Sequence, residues 1–511
     1  MEKKIVLFFP QPVPYSRSWK GVPLALLAIS RQLDKEGYRI KIIARFLSEN
    51  PEKEMLKEAK NAICVGFSAM TGFQISDGLK MAKLVKKKYQ KIPLVWGGWH
   101  PSILPLETIK NRNVDIVVKG QGDFTFPELV HALERKVSLK SVAGIVYKEK
   151  RTVHNNPERP LSDINSLPPL PYHLVDVNKC VFGTEYGQKT VPYISSYGCP
   201  HRCGFCVEQV VNKRKWMAVK AETVVKEWTR LAKEYQADSV AVYDSNFFVD
   251  ENRVYAICRG LLKKGLMIKW GNANGRVSQL VKYDAKTWQA MKKSGCSMIL
   301  TGAESGSQSA LDLIEKDMNV GDIVKFTKLC QKYHIKVLYS FLVGLPWSKN
   351  PLENEKFVKR EYETTLSLIS RLLKICQRNR YTYYIFLPYP GAPLYHRAIK
   401  LGLKAPGSFE AWSTYLMSPE DAFQTVVRQS WITSKQARMT AMLTQYIFGL
   451  MDLDTFDVLK VRTKPGMARI IFIFAFQIGL SLARLRWHLR FFDYPIDYRI
   501  FTFVHKYSGL V

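Results

Sequence analysis

A chain of 511 residues is too long for one hydrophobic core and divides into about two or three domains. With 47% hydrophobic and 23% charged residues its composition is globular, which excludes disorder as the main state. Lys and Arg number 76 against 44 Asp and Glu; the resulting +32 favours acidic partners, whether nucleic acid, anionic lipid or an anionic metabolite, without choosing among them.

Residues 1–150 alternate short apolar runs with amphipathic stretches. Candidate strands are Lys4–Phe9, Arg39–Ala44, Ala62–Ser68, Leu94–Gly97 and Ile116–Lys119, with helical patterns such as Pro23–Gly37 and Ser76–Gln90 between them. The alternation predicts an open, parallel, Rossmann-like α/β sheet. Ligands of such sheets bind at the carboxyl ends of the strands. There stand Gly97-Gly98-Trp99-His100 and Gly120-Gln121-Gly122-Asp123, loops in which glycine either lets a bulky ligand approach the backbone or simply makes a turn. The G-x-G-x-x-G fingerprint is missing after the first strand, which argues against NAD. The apolar run Ile5 to Phe9 is too short for a secretory signal.

Prolines at 157, 160, 168, 169 and 171 mark residues 151–184 as an extended linker. Residues 185–405 return to strand–helix alternation. Candidate strands Val191–Ser196, Ser239–Asp244, Ile268–Ala273, Met298–Gly302, Lys336–Val343 and Thr382–Leu387 predict a partial (β/α)6 TIM-like barrel, active at its C-terminal strand ends. Residues 406–511 read as mostly helical, with a basic, aromatic tail: the last 51 residues carry 8 basic and 2 acidic side chains. Within them Ile470–Ala483 is uncharged, yet shorter than the ~20 residues of a membrane span. Arginines 484, 486 and 490 follow among aromatic residues, a pattern that suits either a membrane interface or a helix closing the barrel.

Nine cysteines are too few and too irregular for a disulfide framework, which implies a reducing, cytoplasmic compartment. Six are scattered; Cys199, Cys203 and Cys206 share one loop after the first barrel strand. Three thiolates so placed can hold three irons of a 4Fe–4S cluster and leave the fourth open to a small molecule. A zinc site completed by His201 or a remote residue is the alternative.

This Cys-x-x-x-Cys-x-x-Cys spacing, with Phe205 before the last cysteine, resembles the radical S-adenosylmethionine (SAM) superfamily. Further matches stand at successive strand ends: Tyr243-Asp244-Ser245-Asn246-Phe247, Asn272 with Arg276, Gly302-Ala303-Glu304-Ser305-Gly306, Gly344-Leu345-Pro346 and Pro388–Pro393. Val65–Gly72, Gly97–Pro101 and Val117–Asp123 resemble the cobalamin-binding domain of cobalamin-dependent radical SAM enzymes. The two resemblances together cover about residues 3–400.

The resemblance implies three cofactors: a 4Fe–4S cluster, SAM and cobalamin. It makes Cys199, Cys203 and Cys206 the cluster ligands. It places Phe205, Asn246, Arg276, Glu304 and Ser305 at SAM, with Arg276 on the SAM carboxylate. It sets Ser68, Thr71, Gly97, Gly98, Gly120 and Gly122 around the corrin and its nucleotide tail. The Asp-x-His-x-x-Gly pattern of many cobalamin domains is absent, so no histidine is expected below the cobalt, and His100 reads as structural. The implied activity is methylation of an unactivated carbon in a lipid, tetrapyrrole or other secondary metabolite. An external donor of flavodoxin or ferredoxin type would supply electrons. The alternatives are a hydroxylase or oxidative cyclase of the same fold, or, from the charge, an RNA-modifying or RNA-binding protein. Nucleic acid is not an expected partner, since the basic residues lack a recognised nucleic-acid fold. A cytoplasmic enzyme, with peripheral contact at the inner face of a membrane through its tail, is the expectation.

Overall fold

The computed structural model describes residues 3–12, 21–415, 431–452 and 467–507, without the side chains of 467–472 and 502–507. Seven strands form the first sheet: β1 (Lys4–Phe9), β2 (Arg39–Ala44), β3 (Val65–Ser68), β4 (Leu94–Gly97), β5 (Ile116–Val118), β6 (Ile145–Glu149) and β7 (Thr152–Asn155). Their order is β2-β1-β3-β4-β5-β6-β7. The first five run parallel, and β6 and β7 join antiparallel. The sequence KIVLFF makes β1 a fully covered strand. Ile5 and Leu7 share a core with Leu26, Leu27, Phe126 and Leu129 of helices Leu24–Lys35 and Gly122–Arg135. Val6 and Phe8 pack with Ile75, Leu79 and Ala82 of helix Phe73–Lys88 on the other face. Each such side chain stabilises the sheet by roughly 1.5–3 kcal/mol. The chain reverses direction across the sheet between β1 and β3. In an open α/β sheet that point forms a crevice at the carboxyl ends.

The segment 151–184 is not wholly a linker. Its first residues are β7, which pairs with β6 through a turn at Lys150 (φ 53°), and its last are β8 (Phe182–Thr184), an edge strand of the second half. Between them Tyr172 is fully buried and donates to the Pro192 carbonyl at 2.7 Å, so the connection is bound to the barrel it enters.

The barrel strands are β9 (Gly187–Tyr193), β12 (Ser239–Val242), β13 (Lys269–Gly271) continued as β14 (Ala273–Asn274), β15 (Met298–Glu304), β16 (Lys336–Val343) and β17 (Arg380–Ile385). All adjacent pairs among them are parallel. The third strand breaks at Asn272, which adopts φ 55°. A short antiparallel hairpin, β10 (Ser196–Gly198) with β11 (Trp216–Ala218), sits above β9 and encloses the cysteine loop. Beyond β17 the edge is covered. Thr444 accepts from the Tyr383 N–H (2.9 Å) and donates to its carbonyl (2.6 Å), standing in for a next strand.

One connection runs backwards. Phe409, Trp412 and Tyr415 leave the barrel and pack into the core of the first domain beside Trp96. Trp412 donates to Glu107 at 2.6 Å, and its ring and that of Phe409 lie 5.5 and 5.4 Å from His100.

Candidate active site

The cysteine loop is fixed by backbone and by buried charge. Gly204 donates its N–H to the Ile314 carbonyl (2.8 Å) and accepts from the Leu394 N–H (2.9 Å). At the loop's start Asp244, fully buried at the end of β12, accepts from the Ser195 N–H and from both serine hydroxyls at 195 and 196, each at 2.6 Å. Burial raises the Asp244 carboxyl, while the Arg253 charge and these bonds pull the other way.

Three of the sequence-identified residues, Asn246, Arg276 and Glu304, meet over this loop. Arg276 Nη1 lies 3.1 Å from Cys203 Sγ, and Asn246 Nδ2 lies 4.0 Å from Cys199 Sγ while donating to Gln279 at 3.0 Å. The Arg276 side chain is almost wholly buried, and its Nη2 makes no hydrogen bond, the Asp317 carboxylate standing 3.7 Å away, beyond hydrogen-bond range. A buried donor without an acceptor costs about 1–3 kcal/mol and marks a place where a ligand oxygen fits. Glu304, in the left-handed region at φ 60°, accepts from Lys316 Nζ at 2.6 Å, and the same ammonium lies 5.6 Å from the Phe205 ring. Burial opposes the Lys316 charge, but the carboxylate outweighs it and holds the ammonium above the usual lysine range. Ser305 is buried beside Thr365, whose hydroxyl accepts from the Gly306 N–H at 2.9 Å. Lys316, Gln279 and Thr365 were not legible in the sequence. A lysine twelve residues beyond Glu304 carries no local signal, and its burial shows only in three dimensions.

Burial pushes the Cys206 thiol up to about 12 and raises Cys199 as well, so a bound metal would displace protons from both. Among the described residues no three His, Cys, Asp or Glu side chains converge on one point, as a single ion requires. A cubane instead takes each thiolate on a different iron, which suits three cysteines spread along a loop.

Between the two domains lies a cavity of about 440 Å³. Its floor is the carboxyl ends of the first sheet: Ser68, Gly97, Gly98, Gly120 and Gly122. Its roof is Tyr197, Gly198, Glu208, Tyr243 and Ser245 from the strand ends around the cysteine loop. Gly98 (φ 96°) and Gly120 (φ 65°) hold backbone conformations that side chains disfavour, and at Gly120 a Cβ would meet no atom within 4 Å. The cavity is thus a glycine-walled slot, open enough for a flat, bulky ligand. Asp123 joins the halves, paired with buried Arg31 and accepting from the Tyr197 hydroxyl at 3.3 Å.

Thr71 does not line this slot. It is buried behind it, 3.0 Å from His100 Nδ1. Burial lowers the His100 ring to about 4, so it is neutral, and it lies outside the cavity among Thr71, Phe409 and Trp412. The reason is local: the helix Trp99–Ile103 starts after Gly98 and turns its histidine inward.

A further buried acid supports the neighbouring loop. Glu361, fully buried on helix Pro351–Ile375, accepts from the Gly344 N–H at 3.2 Å, and its Oε1 meets no donor. Burial raises its pKa from an ordinary 4.5 to about 8, the backbone donors only partly offsetting this. Because the folded value lies above the unfolded one, its contribution to stability is whole below pH about 4.5 and is lost as pH rises through about 8. Glu361→Gln is expected to flatten thermal stability against pH between about 5 and 8, where the wild type falls by a few kcal/mol. Melting temperatures across that range provide the check.

Residues 17–130 match the B12 binding domain family and residues 193–355 match the Radical SAM superfamily. An uncharacterized methyltransferase of Pyrococcus horikoshii is 29% identical over 402 residues, 77% of this chain and 82% of that protein. The anaerobic magnesium-protoporphyrin IX monomethyl ester cyclase of Rubrivivax gelatinosus is 25% identical over 305 residues, 58% of this chain and 54% of its own length. The solved structure of the cobalamin-dependent SAM radical enzyme OxsB, with aqua-cobalamin and SAM bound, has the same fold: TM-score 0.73 at 16% identity, covering 100% of this chain and 76% of that one. Two cofactor-domain families in this order, joined by one interdomain slot, make the chain a member of the cobalamin-dependent radical SAM enzymes.

Proposed function

We propose that this enzyme methylates an unactivated carbon of an apolar metabolite, a lipid or a tetrapyrrole. The observation that carries the reading is the slot between the glycine loops of the first sheet and the cysteine loop of the barrel, whose lining residues would hold cobalamin on one side and face the cluster and SAM on the other. Cys199, Cys203 and Cys206 would hold the cluster, and Arg276, Glu304, Ser305, Asn246 and Phe205 would surround SAM. Ser68, Gly97, Gly98, Gly120 and Gly122 would line the cobalamin. When bound, these cofactors supply hydrogen abstraction from the substrate and a methyl group to replace it.

The chain's own residues orient and exclude. The Nη2 of Arg276, paired with Asp317 only at 3.7 Å and without a hydrogen bond, is a donor that a ligand carboxylate would satisfy, and the fixed fork of a guanidinium suits that geometry. Arg276→Lys is therefore expected to weaken SAM binding to the reconstituted protein by about tenfold, read by calorimetry. The Tyr197–Asp123 contact and the clasp at Trp412 hold the two domains at a fixed spacing. An external electron donor belongs to this reading. A groove of about 570 Å³ beside the loop, lined by Gly204, Trp347, Lys349, Arg397 and Lys400 against one acid, Glu315, supports an acidic carrier of flavodoxin or ferredoxin type.

The test is anaerobic reconstitution with iron, sulfide, cobalamin and SAM, followed by incubation with lipid and pigment extracts. Equal formation of S-adenosylhomocysteine and 5′-deoxyadenosine with a methylated product is the expected result. Deoxyadenosine with no S-adenosylhomocysteine would favour a hydroxylase or oxidative cyclase, the reading that the Rubrivivax gelatinosus cyclase supports.

A further inference from the structure

The helix Met467–Leu489 has two unlike faces. Its inner face packs on the barrel's C-terminal cover: Phe476 and Ala483 are buried, Gly479 lies against Leu450, and Trp487 meets the Phe448 ring at 5.5 Å. These positions recur every three or four residues, as one side of a helix does. The opposite face carries Phe474, Ile478, Leu482, Leu485 and Leu489, between 40% and 66% exposed. Their spacing of four, four, three and four puts them on one stripe. Beyond Arg490, Tyr494, Ile496 and Ile500 are each at least 60% exposed as well. A run of large apolar side chains of this extent on one surface marks an interaction site.

The charges beside the stripe select the partner. Both carboxylates of residues 467–507 are already paired, Asp493 with Lys435 at 2.9 Å and Asp497 with Arg486 at 2.7 Å. The Arg484 side chain is exposed and makes no ion pair among the described residues, whereas the Arg490 guanidinium turns inward, stacked on Trp487 at 3.9 Å and donating to the Leu366 carbonyl at 3.2 Å and the Ser370 hydroxyl at 2.6 Å. What is left over is positive. Two copies joined through this face would bring arginines together with no spare carboxylate between them, whereas an anionic lipid headgroup satisfies each. No helix among the described residues is long and apolar enough to cross a membrane. An apolar stripe flanked by arginine and aromatic side chains lies in the interface plane instead.

We propose that the exposed face of the helix Met467–Leu489 docks the enzyme on an anionic bilayer, with the Phe474-to-Leu489 stripe sunk into the acyl boundary and Arg484 at headgroup level. This rests on the reading of an apolar substrate, for which a membrane is the reservoir, but its test needs no turnover.

The full-length protein is sedimented with vesicles of phosphatidylcholine, with and without phosphatidylglycerol. Wild type is expected to pellet with the phosphatidylglycerol vesicles and to be released by high salt. Leu482→Ser/Leu485→Ser/Leu489→Ser should weaken partition by at least about 100-fold, and Arg484→Ala by about fivefold. Unchanged melting and cluster absorbance would certify that the variants are folded, since all four side chains are exposed. The proposal is overturned if wild type stays in the supernatant with anionic vesicles, or if the triple variant pellets as wild type does. A wild-type dimer that the triple variant turns into a monomer, without vesicle binding, would also overturn it and assign the face to a second copy. Failure here with both SAM products still formed leaves the methylation reading standing; binding without those products sinks that reading and not this one.

Discussion

Cys203→Ala is expected to abolish the visible absorbance of the reconstituted cluster and to lower 5′-deoxyadenosine formation by at least ~1,000-fold, to background. The structure separates this from misfolding. The loop is held through the backbone of Gly204, bonded on one side to Ile314 and on the other to Leu394, and neither bond involves the cysteine side chain. Only Arg276 loses a partner, and it retains Ser278 at 3.1 Å. Cys258→Ala is the matching control. That thiol is equally buried, but in the helix Glu251–Lys263 within the barrel core, and its loss should cost stability while leaving the cluster intact. A Cys203→Ala protein with a wild-type cluster spectrum would remove the basis of the assignment.

Gly97→Leu should abolish cobalamin binding, weakening it by about 100-fold or more, with a change in melting temperature of no more than a few degrees. Gly97 ends β4 on the floor of the slot. Its backbone is not in the left-handed region, and a Cβ built there would come no closer than 3.8 Å to Val118, so the protein itself accepts a side chain. A leucine then takes volume from the cavity of about 440 Å³ proposed to hold the corrin. Gly98→Leu gives the contrast. Its Cβ would lie 2.8 Å from the Ala69 carbonyl at φ 96°, and that variant should lose stability as well as ligand. Titration of the anaerobic protein with hydroxocobalamin, followed by its visible spectrum, reads both. Undiminished binding by Gly97→Leu would place the cobalamin elsewhere.

The amino-acid sequence showed the strands wherever burial on both faces makes them uninterrupted apolar runs. KIVLFF at β1 and IVV at β5 leave little else to predict. It failed where pairing is set at long range. Thr152–Asn155 is exposed along most of its length and becomes a strand only because β6 stands beside it. The cysteine spacing is local and therefore legible. The polar side chains around it come from three different strand ends and one later loop, so Asn246, Arg276 and Glu304 could be named by motif but Lys316 could not. Thr71 illustrates the opposite error. It stands in a loop whose neighbours Ser68 and Met70 do face the slot, yet its own side chain turns back to His100, a direction that sequence order does not carry.

The return of Phe409–Tyr415 onto the first domain has a consequence for synthesis. The seven strands of that domain are complete by Asn155, but the aromatic lid over Trp96 and His100 is encoded some 250 residues later. At roughly 5–20 residues per second, the nascent domain waits about 13–50 seconds with that side bare. A tryptophan and an uncharged histidine ring then face solvent or a chaperone until the barrel has emerged. Completion of the second domain, rather than of the first, is thus the moment at which the first stops being sticky.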